Sequence, residues 1–310
     1  MKISVQTGGA EEIFGIEGAF REIAEAGFDG VDANLNNIAP AALIRSTQPL
    51  PELLLRDGAD WLSLFRPWGD AAKKYGLPVF QAHSLYPTCL PRREQIEAHP
   101  EYDALLLKAM ERFICGAASI GCRRLVFHPC CYVYADHFPR EVEREKNLAV
   151  FSRLAGTAKR EGVTICLENV FTRTEGGHVV STASDPAEAV WYVDTLNAMA
   201  GERVFGFCLD TGHAMLISQD PSRFALELGD RLCCLHVHDN NGMADQHLLP
   251  YAGIIDWERF TQSLAEIHYA GEICFETFTL WKRYGPEMGR KALRFLAETG
   301  RYFAQKAENA

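Results

Sequence analysis

The sequence predicts an α/β protein folded as a single-domain (β/α)8 barrel, a TIM barrel, with residues 1–310 forming one domain. Three observations carry this expectation. Eight short runs of apolar and β-branched residues alternate with longer segments of helical spacing, at a period of about forty residues, as a parallel sheet built from βα units requires. Glycines stand where the helical segments end (Gly27, Gly76, Gly121, Gly162), and Asp185, Asp220 and Asp256 stand where others begin, the usual chemistry of helix stops and starts. The third observation concerns the turn after the first run, QTGGAEEIFG, which lacks the GxGxxG spacing of a doubly wound open sheet, the main alternative. Barrels of this class commonly reach such a length as one domain.

In chain order the expected strands are 2–7 (KISVQT), 30–35 (GVDANL), 79–84 (VFQAHS), 125–130 (LVFHPC), 164–169 (TICLEN), 205–210 (FGFCLD), 232–239 (LCCLHVHD) and 272–277 (EICFET). Each is short and flanked by polar or turn-forming residues, and most are too uniformly apolar for a sheet with one wet face. Helices are expected over 20–27, 62–76, 102–121, 143–162, 185–200, 220–229, 256–271 and 286–305, where apolar residues recur at three- and four-residue intervals. The segment 36–59, rich in Asn, Pro and Leu, fits neither pattern.

Composition narrows the function. Apolar residues make up 47% of the chain and charged residues 23%, the balance of a globular protein rather than a disordered one. A formal net charge of −10 argues against a surface built for phosphate backbones, so nucleic acid is demoted as a partner. The first residues lack the apolar core of a signal peptide, and no run approaches the roughly 18 apolar residues of a membrane span. A cytoplasmic enzyme acting on a small molecule, with no membrane partner, is the expectation; a homo-oligomer stays open. The ten cysteines form no CxxC pair and sit in apolar runs, so they read as reduced packing residues.

Position is the informative feature of the polar residues. The strands end at their carboxyl edges in His83, His128, Glu168, Asp210, His236 and Glu276, and in a barrel those edges converge on one mouth. Any one of these residues alone would be an ordinary hydrogen-bonded histidine or a helix cap. Together, several carboxylates in one cavity are costly without a cation. Asp, Glu and His without Cys suit one divalent metal, Mn²⁺, Zn²⁺, Co²⁺ or Mg²⁺. Strand pleating then turns Cys166, Cys208, Cys234 and Cys274 inward below the site as packing. His238, two residues after His236, faces the same way and is a competing ligand. His213 follows Asp210 in DTGH, as a ligand or an acid/base, and Asp245 and His247 form a DxH on the next loop, while Asp239 and Asn240 are expected to organise the turn. His99, His137, His178 and His268 fit no pattern and are expected on the surface. No GxSxG elbow supports a serine nucleophile.

These motifs resemble the xylose-isomerase-like TIM barrels, a group of sugar phosphate isomerases and epimerases together with the endonuclease IV type of AP endonuclease. The resemblance runs over nearly the whole chain, from AEAGFDGVD (24–32) through LEN, LDTGH and HVHDNNG…DQHLLPYAGIIDW to ICFET. It implies a single metal held by Glu168, Asp210, His236 and Glu276, with the HxxD pattern choosing His236 over His238. The implied activity is that of a keto-sugar isomerase or epimerase of carbohydrate metabolism, acting on a sugar, sugar phosphate, inosose or other polyol-derived substrate. Glu168 and Glu276 would move a proton through an enediolate, and His213 or His247 would orient or protonate oxygens.

The endonuclease branch is the alternative. Its larger ligand set finds matches at His83, His128, His213, Asp245 and His247, enough with the first four for up to three Zn²⁺ and cleavage of abasic DNA. Its ENTAGQG-like loop is replaced by VFTRTEGGHVVS after LEN, and its DTCH by DTGH. The epimerase pattern also breaks at one place: the arginine that ketose 3-epimerases carry six residues after the ligand histidine is Gly242 here. Substrate anchoring must therefore differ. Arg92, Arg93, Arg173, Lys282 and Arg283 lie in loops after strands and are candidates for a phosphate or carboxylate, each more simply a solvated charge; Trp281, Tyr86 and Phe171 are expected to stack on a sugar ring or cover the mouth.

Overall fold

Barrel strands are buried on both faces, so consecutive apolar residues rather than alternating ones form each strand. In the computed structural model, which describes residues 1–309, the eight runs become β1 (Ile3–Gln6), β2 (Gly30–Asn34), β3 (Val79–His83), β4 (Arg124–Phe127), β5 (Thr164–Glu168), β8 (Phe205–Asp210), β9 (Leu232–His236) and β10 (Ile273–Phe275). Between the fifth and sixth runs the chain adds an antiparallel hairpin, β6 (Phe171–Thr174) and β7 (Gly177–Val180). The eight long-range partners are all parallel, in the order β10-β1-β2-β3-β4-β5-β8-β9. The ring closes beyond β9, where Val237 N donates to Cys274 O (2.8 Å) and Glu276 N donates to Val237 O (3.1 Å). That closure rules out the open doubly wound sheet.

The helices that cover the ring are α1 (Gly8–Ala26), α2 (Ala41–Arg45), α3 (Glu52–Leu55), α4 (Arg66–Tyr75), α5 (Arg93–Ala98), α6 (Tyr102–Ser119), α7 (Arg140–Glu161), α8 (Pro186–Ala200), α9 (Thr211–Leu216), α10 (Pro221–Leu228), α11 (Trp257–Glu266) and α12 (Leu280–Asn309). Gly27, Gly76, Gly121 and Gly162 end their helices in left-handed conformations, with φ between 63° and 92°. The side chains of Asp185, Asp220 and Asp256 accept backbone N–H groups of Glu188, Ser222 and Arg259, so both sets of expected stops and starts have their physical partners. Two helices are longer than their periodicity implies, because each carries a glycine kink: α1 begins twelve residues early and breaks at Gly15 (φ 68°), and α12 breaks at Gly285 before Pro286. The unassigned segment 36–59 holds α2 and α3, too short to show a period.

The barrel interior bears out the pleating argument. Val126, Cys166, Cys208 and Cys234 form a buried cluster with Cys234 Sγ 3.5 Å from Cys166 Sγ, and Cys274 is buried beside Asp32. All ten cysteines are free thiols. Among the described residues no helix is long and apolar enough to cross a membrane.

Candidate metal centre

Strand register brings the ligands together. Asp210 pairs with His236 across β8 and β9, and Glu168 lies one strand away, opposite Cys208. Glu276 follows β10 at the closing bridge. Glu168, Asp210, His236 and Glu276 each present a donor atom within 4.8 Å of all the others, and all four are buried. His236 Nδ1 stands 3.0 Å from Glu168 Oε1 and 3.8 Å from Glu276 Oε2. Glu276 lines a cavity of about 450 Å³ together with His83, His128, His213 and His247, and its other walls include Gln6, Asn34, Tyr86, Phe171 and Phe278.

Two further groups adjoin the first. His83 and His128 direct Nε2 at Glu168 Oε2 from 3.5 and 3.3 Å, and His213, His238, Asp245 and His247 gather on the other side of Asp210. The histidines are oriented through the nitrogen that faces away from the cluster. His83 Nδ1 donates to Ser84 O (2.8 Å), His213 Nδ1 to Asn169 O (3.0 Å) and His247 Nδ1 to Glu276 O (2.6 Å). With Nδ1 committed to a backbone carbonyl, it is Nε2 of each ring that faces carboxylates and cavity, the nitrogen a metal ligand would offer once deprotonated. In the metal-free fold burial acts against charge on His213, but Asp210 and Asp245 outweigh it and hold that ring well above an ordinary histidine. His236 uses the opposite arrangement: its Nε2–H donates to Asp32 Oδ2 (2.9 Å), which leaves Nδ1 for the cluster.

The electrostatics show strain that a cation would relieve. Burial opposes ionisation of Glu168, but His236 and His128 outweigh it and hold that carboxyl well below the ordinary glutamate range. Burial drives Glu276 well above that range; His236 opposes the rise and the Glu168 charge adds to it. Burial acts against charge on His236, yet Cys208, Glu276 and Glu168 leave it well above an ordinary histidine. Three buried atoms here, Glu168 Oε2, Asp32 Oδ1 and His238 Nδ1, have no hydrogen-bond partner. Unpaired buried acceptors crowded with like charge are what a divalent ion satisfies, and oxygen and imidazole donors without thiolate fit Mn²⁺, Co²⁺, Zn²⁺ or Mg²⁺.

The tertiary structure separates residues that the sequence left equivalent. His236 and His238 are both buried, but His238 Nε2 turns to Asp210 (3.0 Å) and its ring stacks on His247 at 3.9 Å. Asp239 is the turn organiser expected, accepting from Asn240 N, Ile254 N, Ile255 N and Trp257 Nε1. Trp281 neither covers the mouth nor meets a ligand; it is buried against Phe14, with ring centroids 5.0 Å apart, and against Gly289. Arg93 turns away to Asp136 and the Phe138 ring, and Arg283 reaches Gln246 O, so neither lines the cavity. His137 and His268 are exposed, His99 is partly so, and His178 is half-buried against Phe171. Asp32 and Arg45 escaped the sequence reading. A carboxylate in the middle of the apolar run GVDAN was the available signal for Asp32; Arg45 gave none.

A sequence profile described as the xylose isomerase-like TIM barrel matches residues 20–299. Among solved structures the chain is similar to the apo form of 3-keto-D-glucoside 4-epimerase from E. coli, with a TM-score of 0.70 and 20% identity over 97% of this chain and 99% of that one. It is also similar to D-psicose 3-epimerase with D-tagatose from Clostridium cellulolyticum H10, at TM-score 0.69 and 16% identity over 98% and 99% of the two chains. An uncharacterized protein of Mycobacterium leprae is 23% identical over 85% of this chain and 84% of its own. A relative from Sinorhizobium fredii is 42% identical over 72 residues, and the match spans only 23% of that protein's length. The strand order, the closed ring and the profile agree: this chain belongs to the xylose isomerase-like TIM-barrel family.

Proposed function

We propose that this protein is a divalent-metal-dependent isomerase or epimerase of keto sugars, sugar phosphates or inososes. The observation that carries the reading is the meeting of Glu168 and Glu276, from β5 and the end of β10, in one buried cluster with Asp210 and His236. A single divalent ion held by those four residues would supply electrostatic stabilisation for the negative charge that develops on the substrate's oxygens. Glu168, ionised in its histidine-rich surroundings, removes the proton next to the carbonyl, and Glu276 delivers one. Delivery to the opposite face of the same carbon epimerises, and delivery to the adjacent carbon isomerises. His213 Nε2 and His247 Nε2 face the cavity and hydrogen-bond substrate oxygens. Gln6, Asn34, Asn36 and Asn37 line the same cavity, and neutral amides suit hydroxyl groups.

Incubation of the metal-loaded protein in deuterated solvent with ketoses, inososes and their phosphates should wash a substrate C–H proton out. Glu168→Gln and Glu276→Gln should abolish the exchange while keeping the melting transition. A loaded wild-type protein that exchanges no proton in any compound of the panel would refute the reading.

A second reading is favoured by a specific observation: the neighbouring groups His83–His128–Glu168 and His213–His238–Asp245–His247 each bring candidate ligand atoms within 4.8 Å of one another. With them filled, up to three Zn²⁺ would suit a phosphodiesterase acting on abasic DNA. Metal analysis giving three ions per chain together with incision of an abasic duplex would favour it; one ion and proton exchange favour the first.

A further inference from the structure

The cavity does not stop at the ligands. Past Tyr86 and His128 it opens into a second hollow of about 520 Å³, which shares Arg45, Tyr86, His128, Val170, Phe171 and Arg173 with the first. Its three arginines come from three separate segments, the end of α2 with Arg45, the segment before α5 with Pro91 and Arg92, and the β6–β7 hairpin with Thr172 and Arg173, and the segment after β4, with Pro129 and Tyr132, completes the wall. It contains three arginines and no Asp or Glu, in a chain whose net charge is −10. The metal cavity also includes the acidic Glu12, Asp245 and Glu276; Arg45 and Arg173 stand on the boundary between the two hollows, and Arg92 lines the second alone.

Arginines elsewhere in this protein find carboxylates, as in Arg140 with Glu188, Arg231 with Asp194, Arg290 with Glu22 and Arg301 with Asp29. Arg45, Arg92 and Arg173 are exposed, and among the described residues none has a carboxylate partner. Arg45 lies over the Tyr86 ring, 5.6 Å from its centroid, which holds it at the junction of the two hollows. Like charges brought together from three segments repel one another, and no carboxylate lines the hollow they share. A ligand that brings its own negative charge would. The central cavity already has the room a monosaccharide ring needs, so the second hollow is free for a substituent.

We propose that Arg45, Arg92 and Arg173 form an anion subsite, and that the substrate is a keto sugar carrying a phosphate or carboxylate remote from its reacting carbon. This deepens the reading above and rests on it for the sugar half alone. It also replaces the anchor missing at Gly242: the charge clamp moves from the loop after β9 to the opposite rim. Guanidinium forks match either oxyanion, and because the groups are exposed the attraction is salt-sensitive.

The test measures binding to the metal-loaded protein, by calorimetry, of fructose, fructose 6-phosphate, fructuronate and inorganic phosphate, for the wild type and for the triple variant Arg45→Gln, Arg92→Gln, Arg173→Gln. The proposal expects the charged probes to bind at least about tenfold more tightly than fructose at low salt. That preference should shrink at 0.5 M NaCl, where exposed charges are screened, and the ratio of charged-probe to fructose affinity should fall to about one in the triple variant, whose cooperative melting transition reports that it stays folded. A preference for the phosphate or for the carboxylate sugar identifies the anion. Equal binding by wild type and triple variant, including no binding by either, overturns the proposal, as does tighter arginine-dependent binding of an abasic duplex than of any sugar. The deuterium exchange separates the two claims: exchange without an anion preference removes the subsite alone, whereas an anion preference without exchange removes the reaction and leaves the subsite.

Discussion

Asp32→Asn tests whether His236 is a metal ligand held in position by a carboxylate behind it. Asp32 is fully buried in β2, where Oδ2 accepts from His236 Nε2 (2.9 Å) and from Gln81 Nε2 (3.0 Å). The amide is nearly isosteric, so packing survives, but the charge that fixes the His236 tautomer is gone. A charge-assisted hydrogen bond of this kind contributes about 1.5–3 kcal/mol, and loss of a carboxylate behind a metal-binding imidazole typically weakens the metal about 10- to 100-fold, equivalent to about 1.4–2.8 kcal/mol. The two estimates agree, so the expected result is a one- to two-decade loss in affinity when the stripped variant is titrated with Mn²⁺ or Zn²⁺ by calorimetry. The metal-free variant should melt lower than the metal-free wild type, because it loses the same charge-assisted hydrogen bond to His236, and a retained cooperative transition shows that affinity is measured on folded protein. Affinity within twofold of the wild type would refute the assignment of His236 Nδ1 to the metal.

Other expectations follow from the same structure. Glu276 and His236 both have raised pKa values in the metal-free fold, and a ligand must shed its proton to bind, so metal binding should release protons and weaken as pH falls; calorimetry in buffers of different ionisation enthalpy measures this, and an affinity independent of pH between 5 and 8 contradicts it. The same rise means that Glu276 favours the metal-free fold below the ordinary value of 4.5 and that this contribution disappears as pH climbs through the raised folded value. Asp239→Ala strips an acceptor from four donors in the loop after β9, which should cost about 3–5 kcal/mol in urea unfolding; a loss below 1 kcal/mol would show the loop is held otherwise. Gly9→Ala puts a Cβ 2.0 Å from Phe278 O, and since the atom it meets is a backbone carbonyl that no rotamer change can move, the cavity rim must shift at about 1–3 kcal/mol, readable as a lower melting point and altered fructose binding.

The sequence alone determined the repeating architecture and the primary ligand candidates. Helix caps at Asp185, Asp220 and Asp256 and stops at Gly27, Gly76, Gly121 and Gly162 are local interactions, and a strand buried on both faces advertises itself in its composition. Once the ring is closed, geometry sends every carboxyl end to one mouth, so His83, His128, Glu168, Asp210, His236 and Glu276 were legible as one group, and the resemblance to the family singled out Glu168, Asp210, His236 and Glu276 among them. Tertiary structure decided what depends on which loop meets which. Asp32 matters because β2 lies across the barrel from His236, the kinks at Gly15 and Gly285 hid the true lengths of α1 and α12, and Trp281 turned into the core because Phe14 and Gly289 made room for it. Arg92 and Arg173 read as solvated loop charges and Arg45 gave no signal at all; the three line one hollow only where separate segments converge, a contact set by long-range packing that no spacing in the chain records.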